Sequence, residues 1–420
     1  MRIFKISLAF VGLVVGAGFS TGQEIIQYFI SFGTQGFWGA VLAGVITVIS
    51  GGVIIQTGSY FLARDHRPVF KHVSHPIVSS LVDWSITLTL FGIGFVMLAG
   101  AGSTLEQQLG LPAWAGAAIM TALVMMTGML DVDRVSDIIS WITPAIVVAV
   151  VIAFIYTMFN IPEDFGVIND IALQAASPVQ PWWLSAINYS CMALMLGVSM
   201  CLVIGGNTPN PRIAGWGGLG GGALFTILLL MMAIILLFNI EQVGDSEVPM
   251  LSMFGSMHPM LGLLMVLFIY GMIFNTAIGM FYALGRRLTT RRRSLYKPVF
   301  LVTCLVGYAV SFAGFSELLS WVYPAIGYIG IVMIAVLVVW WFRHRGDVRR
   351  ESQCRDNIRE LMARRDDPGQ EFTEHDQEQL NRLVGNSSAE PEVITAAIDL
   401  ELKDSGQRKN ITVSAEQGMQ

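Results

Sequence analysis

The first apolar stretch of the chain contains the segment GAGFSTGQE, residues 16–24, in which three glycines, two hydroxyls and a carboxylate lie close together. If a membrane helix stops inside this segment, its inner half ends near Val15 and Gly16 with free carbonyl oxygens, which suit a cation. An outer half that begins near residues 20–22 presents free N–H groups, which suit an anion such as a carboxylate. The segment therefore predicts a small-molecule site that offers both signs of partial charge.

The candidate substrate-binding residues in this segment are Gly16, Ala17, Gly18, Phe19, Ser20, Thr21, Gly22 and Glu24. Two alternatives stay open. The glycines also suit close helix packing without any ligand. Glu24 fits a capping box with Thr21, as Gln23 does with Ser20, and would then only complete the start of the outer half-helix. As an ionisable group deep in an apolar segment, it is also a candidate proton carrier or partner for a substrate ammonium.

Two later apolar runs also carry polar residues near their middle. The run SAINYSCMALMLGVSM, residues 185–200, supplies further candidate substrate-binding residues, namely Tyr189, Ser190, Ala193 and Gly197. The run containing FNTAIG supplies Asn275 and Thr276, whose oxygens, with the carbonyl of Gly16, form a candidate Na⁺ site, since hard cations take oxygen ligands. An ordinary hydrogen bond between helices explains Asn275 and Thr276 equally well. The coupling ion, Na⁺ or H⁺, stays open.

The elements that must position these residues are membrane helices. Apolar residues make up 54% of the 420-residue chain and charged residues only 13%, a composition typical of a multi-spanning membrane protein. Ten apolar runs are long enough to cross a bilayer. They lie at about 3–31, 36–63, 79–105, 113–130, 138–159, 184–205, 215–239, 260–284, 297–315 and 318–342.

The positions of the basic residues test this count. With the N-terminus in the cytoplasm, ten spans place all 25 Lys and Arg residues on the cytoplasmic side, and the outer connections carry none. A missed or extra span would scatter them over both sides. The sequence therefore predicts a multi-pass protein of the plasma (inner) membrane with both termini cytoplasmic. Beyond it, residues 343–420 are polar and predict a cytoplasmic, largely disordered tail with at most a short helix around residues 357–383.

Ten spans suggest two five-helix halves of opposite orientation, about 1–160 and 184–342. The sixth span then corresponds to the first, and polar residues interrupt both. Interrupted helices at corresponding positions of two halves indicate the central site of a transporter. The predicted fold class is thus an all-α integral membrane protein with ten transmembrane helices in a five-plus-five inverted repeat and broken helices 1 and 6.

The segment GAGFSTGQE and the ten-span plan resemble the YkvI family of bacterial membrane proteins, to which amino acid permease activity is ascribed. More distantly, residues 1–342 are similar to the amino acid/polyamine/organocation superfamily. The resemblance implies that helices 1, 2, 6 and 7 rock against helices 3, 4, 8 and 9. It also implies that the break at residues 16–22 holds the carboxylate and amine of an amino acid, and that residues 189–193 face its side chain. The run NYSCMA departs from the superfamily pattern because it lacks a glycine.

These observations favour a secondary active transporter, a symporter coupled to Na⁺ or H⁺, for an amino acid or related small zwitterion. The alternative is a ligand sensor or receptor subunit that signals through the tail, and a channel ranks last because only three spans show polar residues near their middle. No nucleophile, base and acid can be assembled from the connections, so the sequence predicts no enzyme and no cofactor beyond the coupling ion. The predicted partners are an amino acid-like molecule and the bilayer, with no nucleic acid and no named partner for the tail.

Overall fold

The computed structural model describes residues 2–74, 76–129, 142–290, 292–367 and 370–403, and within these ranges the chain is helical without β-strands. The connection that carries Arg134 lies outside them. The helices are α1 (Arg2–Val14), α2 (Ala17–Thr21), α3 (Gln23–Tyr28), α4 (Thr34–Tyr60), α5 (His66–Val73), α6 (Pro76–Leu109), α7 (Ala113–Gly128), α8 (Ile142–Phe159), α9 (Phe165–Ala172), α10 (Trp182–Gly206), α11 (Pro211–Phe238), α12 (Ile240–Val243), α13 (Pro249–Met257), α14 (Pro259–Leu288), α15 (Tyr296–Ser311), α16 (Phe315–Arg365) and α17 (Glu374–Asn386).

Eight of the described helices are long and apolar enough to cross a membrane: α4, α6, α8, α10, α11, α14, α16, and α15 with the short 3-10 turn before it. The helix α7 is apolar but shorter. The first apolar run is divided among α1, α2 and α3. Each of the ten runs predicted from the sequence coincides with one of these elements. The five-plus-five inverted repeat stays a prediction.

Small residues allow α4, α10 and α11 to approach one another closely. A Cβ added to Gly58 of α4 would lie 2.8 Å from the Leu202 Cα of α10. A Cβ added to Gly218 of α11 would lie 2.8 Å from the Gly52 Cα of α4. Such glycine contacts are how membrane helices gain packing energy, because lipid supplies little hydrophobic drive between them. The helix α1 packs against both α10 and α11, so this tight group supports the interrupted first segment.

Polar contacts join connections that are distant in sequence at one end of the bundle. Arg2, before the first apolar run, pairs with Glu401 of the tail. Asp83 of α6 accepts from Arg67 at 3.0 Å and pairs with Arg287 at the end of α14 at 2.6 Å. These residues belong to the set that the basic-residue distribution places on one side of the membrane. The structure therefore joins Arg2 to the tail and joins α5 to α6 and α14, while the side of the membrane on which these groups lie stays a prediction.

The tail corrects a prediction, because residues 343–403 are not largely disordered. The helix α16 continues to Arg365, α17 follows, and residues 391–403 form a further helix. Apolar residues from these helices and from the α4–α5 connection form one buried cluster: Leu62, Ile358, Leu361, Met362, Leu380, Ile394 and Ile398. Each helix contributes only one to three of these residues, and this is why composition alone suggested disorder. Residues 404–420 lie outside the described part of the chain.

Arg355 of the tail forms hydrogen bonds with the end of α4 and with the connection between α10 and α11. Its side chain is 1% exposed and donates to the carbonyls of Ser59 (2.8 Å), Pro209 (2.9 Å) and Tyr60 (2.8 Å). Its charge is matched by Glu351 one turn earlier, at 2.6 Å. A buried arginine is stable only when its charge is paired and its N–H groups are bonded, and both conditions are met here. The tail is thus held against the ends of α4 and α10.

Candidate functional site

The structure interrupts the first segment twice, where the sequence predicts a break. The helix α1 ends at Val14, and Gly16 is extended, with φ −99° and ψ −173°. The short helix α2 follows and ends at Gly22, which has the left-handed φ of +83°. The helix α3 then begins at Gln23. Irregular backbone at membrane depth is tolerated where it is enclosed by protein, and all residues from Ala17 to Ile30 are buried.

The three glycines of this segment have three different roles. Gly22 supplies a positive φ that other residues rarely adopt. Gly18 makes room for other side chains, because a Cβ added there would overlap the Glu24 carboxylate and lie 2.7 Å from the Tyr323 hydroxyl. Gly16 faces open space, since a Cβ added there would meet no atom within 4 Å. Gly22 therefore shapes the backbone and Gly18 makes room for the Glu24 side chain, while a side chain at Gly16 would meet no neighbouring atom.

The capping-box interpretation of Glu24 is wrong. The N-cap residue of α3 is Gly22, and no side chain caps this helix. The hydroxyls of Ser20 and Thr21 instead donate to the carbonyls of Ala17 and Gly18, each at 2.7 Å. The side chain of Gln23 donates to Ser316 at 2.9 Å. The Glu24 carboxylate is thus free of the backbone and available for other contacts.

Glu24 lies in a buried polar cluster formed by three helices. Glu24 is 5% exposed, and its Oε1 accepts a hydrogen bond from the Tyr189 hydroxyl of α10 at 2.9 Å. Beside it, the Tyr28 hydroxyl donates to Asn188 Oδ1 at 3.3 Å, and Asn188 Nδ2 donates to the Pro324 carbonyl of α16 at 3.1 Å. Among the residues that the structure describes, Glu24 has no Lys, Arg or His partner within ion-pair distance. The site therefore holds an acidic group without a matching cation.

The predicted break in helix 6 is also wrong, since α10 runs without interruption from Trp182 to Gly206. Its polar residues find partners without any change in the backbone. Ser190 donates to the Ala186 carbonyl one turn earlier at 2.8 Å, and Asn188 bonds to neighbouring helices. A polar side chain that is satisfied in this way leaves the helical hydrogen bonds intact, and this is why polarity alone predicted a break that does not occur.

Tyr189, Ala193 and Gly197 lie four residues apart and so share one face of α10. Tyr189 contacts Glu24, and a Cβ added to Gly197 would come no nearer than 3.6 Å to its closest neighbour, Leu13 of α1. Tyr189 therefore contacts the interrupted segment and Gly197 lies beside α1, while the substrate-binding role of Tyr189, Ala193 and Gly197 stays a prediction. Ser190 points elsewhere, because its hydroxyl lies 3.1 Å from the Ala43 carbonyl of α4. The structure does not bring Ser190 to the break.

The remaining candidate residues lie beside the short helix α2. Ala17 and Phe19 are each 1% exposed, and the ring of Phe19 packs against Phe225 of α11 at 5.7 Å between centroids. The helix α14, which carries Asn275 and Thr276, packs against α2. The Thr276 hydroxyl donates to the Met272 carbonyl of its own helix at 3.0 Å. The Na⁺ site at Gly16, Asn275 and Thr276 stays a prediction.

Sequence reasoning missed the contribution of α16. Tyr323 is 1% exposed and its hydroxyl lies near Gly18 and Glu24, while the Pro324 carbonyl accepts from Asn188. In the sequence, Pro324 could have indicated this contribution, because a proline inside an apolar helix weakens the helical hydrogen bonding around it. A cavity of about 880 Å³ opens between α3 and α16, and Gln23, Gln27, Ser316 and Pro324 are among its lining residues. The cluster around Glu24 thus lies directly behind a cavity.

Comparisons with known proteins agree with this architecture, although no family model matches the chain. It is 26% identical to the uncharacterized membrane protein YkvI of Bacillus subtilis (strain 168) over 338 residues, 80% of this chain and 94% of the relative. It is 22% identical over 336 residues to the uncharacterized protein YyaD of the same organism, 80% of this chain and 96% of the relative.

Two solved structures share the fold. Similarity to MhsT in complex with L-phenylalanine has a TM-score of 0.57 at 14% identity, covering 93% of this chain and 97% of that one. Similarity to the manganese transporter of Eremococcus coleocola has a TM-score of 0.51 at 12% identity, covering 95% and 92%. The similarity to YkvI predicted from the sequence is confirmed, and the chain is a helical membrane protein with a transporter fold.

Proposed function

We propose that the protein is a secondary active transporter that moves an amino acid or a related small zwitterion across the membrane, coupled to an ion. The fold is that of solved transporters, and one of these is a complex with L-phenylalanine. The relative YkvI has no characterised activity, so the substrate class depends on the site itself. A transporter needs a central site that each side of the membrane reaches in turn, and the interrupted first segment supplies it.

The observation that carries this proposal is the double interruption of the first segment at Gly16 and Gly22. It leaves the short helix α2 between two interruptions of the helical backbone, and the Glu24 carboxylate lies against Tyr189 of α10. A Cβ added at Gly16, the first interruption, would meet no atom within 4 Å. A zwitterion has one group for each sign of charge, so its ammonium suits carbonyl oxygens and the Glu24 carboxylate. Its carboxylate suits backbone N–H groups.

A matched pair of glycine variants tests the position of the site. Gly16 and Gly12 are both in the first segment, and a Cβ added to either meets no atom within 4 Å. Gly12 is exposed on the outer face of α1, whereas Gly16 is partly buried at the break. We expect Gly16→Leu to fold and to fill the ligand space, because its φ of −99° is open to any residue. Gly12→Leu should leave the site unchanged.

The measurement is a thermal-shift screen of the purified protein in detergent against the twenty common amino acids, with and without Na⁺. A ligand that binds only the folded protein raises its melting temperature by mass action. We expect at least one amino acid to stabilise the wild type and Gly12→Leu but not Gly16→Leu. A stabilisation that Gly16→Leu retains would place the site elsewhere. No stabilisation by any amino acid would contradict the substrate class and favour the sensor alternative, whose ligand would lie outside this set.

A further inference from the structure

We propose that Glu24 binds and releases the coupling ion and that this ion is a proton, an inference that rests on the proposed function and goes beyond it. The first step is electrostatic. Glu24 is 5% exposed, and its one hydrogen bond among the described residues comes from the neutral hydroxyl of Tyr189. A buried carboxylate without a cationic partner is costly, so its charge must be neutralised in at least part of the transport cycle.

Within the part of the chain that the structure describes, no basic side chain pairs with Glu24. The helices packed against α2 and α3 are α10, α11, α13, α14 and α16. The titratable groups that they and α3 direct toward Glu24 are the hydroxyls of Tyr28, Tyr189 and Tyr323, which are neutral. Among the described residues, the charged groups that line the cavity between α3 and α16 are Glu247 and Glu317, which are also acidic. When no substrate ammonium occupies the site, the neutralising charge must therefore come from solution.

The oxygens at the break favour a proton over Na⁺. The carbonyls of Ala17 and Gly18 accept from the hydroxyls of Ser20 and Thr21, and the Gly16 carbonyl accepts from the Ser20 N–H at 3.1 Å. The Thr276 hydroxyl donates to its own helix. A Na⁺ ion needs several oxygens directed at one point, and at each of the three carbonyls it would have to share the oxygen with a protein hydrogen bond. A proton needs only one oxygen of Glu24.

The cavity between α3 and α16 supplies part of a route for this proton. The cavity of about 880 Å³ reaches Gln23, the residue before Glu24, and Pro324, the residue after Tyr323. The side-chain oxygens of Gln23 and Gln27 beside it are buried and have no protein donor. Acceptors of this kind are the usual binding partners of internal water. A proton from water on one side of the membrane adds to a Glu24 oxygen. It leaves from that oxygen to water on the other side after the site has reopened there.

The test begins with a measurement that needs no substrate. Infrared difference spectra of the purified full-length protein, recorded between acidic and alkaline buffers, should contain a carboxylic-acid carbonyl band that Glu24→Gln loses. The control Glu106→Gln, at an exposed position on α6, should retain this band. Tyr189→Phe removes only the hydrogen bond to Glu24 and should shift the band. This shift would assign the band to Glu24 even if Glu24→Gln does not fold. A band absent from the wild type, or unchanged in Glu24→Gln and Tyr189→Phe, overturns the proposal.

The second measurement is uptake into proteoliposomes of a radiolabelled mixture of the twenty common amino acids. A pH gradient at equal Na⁺ should drive accumulation by the wild type and by Glu106→Gln. Glu24→Gln should lose at least tenfold of this accumulation, and the uptake that remains should no longer depend on the pH gradient. Accumulation driven by a Na⁺ gradient and retained in Glu24→Gln overturns the proton proposal but leaves the transporter intact. No uptake by the wild type overturns the proposed function and with it the coupling role, whatever the infrared band shows.

Discussion

The first apolar segment and the helix α10 differ in how they accommodate polar residues at membrane depth. Both contain small and polar residues near their middle, and the sequence predicts a break in each. Only the first segment is interrupted, at Gly16 and Gly22, whereas α10 is continuous over 25 residues. The difference lies in what the residues require. Gly22 adopts a φ of +83° that a helix cannot contain, while Ser190 and Asn188 satisfy their side chains from within a regular helix.

The largest expected effect comes from the glycines that distinguish the two segments. In Gly22→Ala the left-handed φ and contacts of 3.2 Å to Leu236 and Met250 should together cost about 2–4 kcal/mol of stability. In Gly197→Ala the added methyl group has room and a helical backbone, so stability should rise by about 0.5–1 kcal/mol. Melting temperatures of the two purified variants measure this contrast. Equal destabilisation of both would mean that α10 also depends on a special backbone at its glycine.

This contrast shows what the sequence can and cannot reveal. Hydropathy predicts where the long apolar helices lie, because the bilayer imposes this pattern on any spanning chain. The three glycines of residues 16–22 predict the interruption, since they permit unusual backbone. The continuity of α10 could not be predicted, because it depends on carbonyls that other helices supply to Asn188. The role of Tyr323 could not be predicted either, since a tyrosine in the last span becomes part of the site only through packing.

The next effect concerns the position of the Glu24 side chain. A Cβ at position 18 would overlap the Glu24 carboxylate and crowd the Tyr323 hydroxyl. Gly18→Ala should therefore displace Glu24 from Tyr189, cost about 1–3 kcal/mol and weaken ligand binding by roughly tenfold or more. Ligand titration by thermal shift measures the loss. The control is Gly279→Ala on α14, where the added methyl group meets no atom within 4 Å, so ligand binding should be unchanged and stability should rise by about 0.5–1 kcal/mol, as for Gly197→Ala. Unchanged ligand binding in Gly18→Ala would show that Glu24 does not contribute to ligand binding.

A smaller effect is expected from the polar link between α10 and its neighbours. Asn188→Ala would remove the partner of the Tyr28 hydroxyl and of the Pro324 carbonyl, at a cost of about 1–2 kcal/mol. Tyr28→Phe removes one side of the same link. Because the two residues share a hydrogen bond, the double variant should be less destabilised than the sum of the single variants. Strictly additive losses of melting stability would show that Asn188 acts through Pro324 alone.

The smallest effect should come from Ser190, which the sequence assigns to the substrate pocket and the structure directs toward α4. Its hydroxyl lies 2.8 Å from the Ala186 carbonyl and 3.1 Å from the Ala43 carbonyl, both of them backbone groups. Hydrogen bonds between membrane helices contribute on average only about 0.6 kcal/mol, so Ser190→Ala should lower stability by about that amount and leave ligand binding unchanged. Thermal-shift titration of Ser190→Ala beside wild type measures both quantities. A loss of binding without loss of stability would instead return Ser190 to the pocket and would require α10 to open near Tyr189 when the ligand binds. The continuous α10 would then be one state of a helix that breaks during transport. The first segment and α10 would differ only while no ligand is bound.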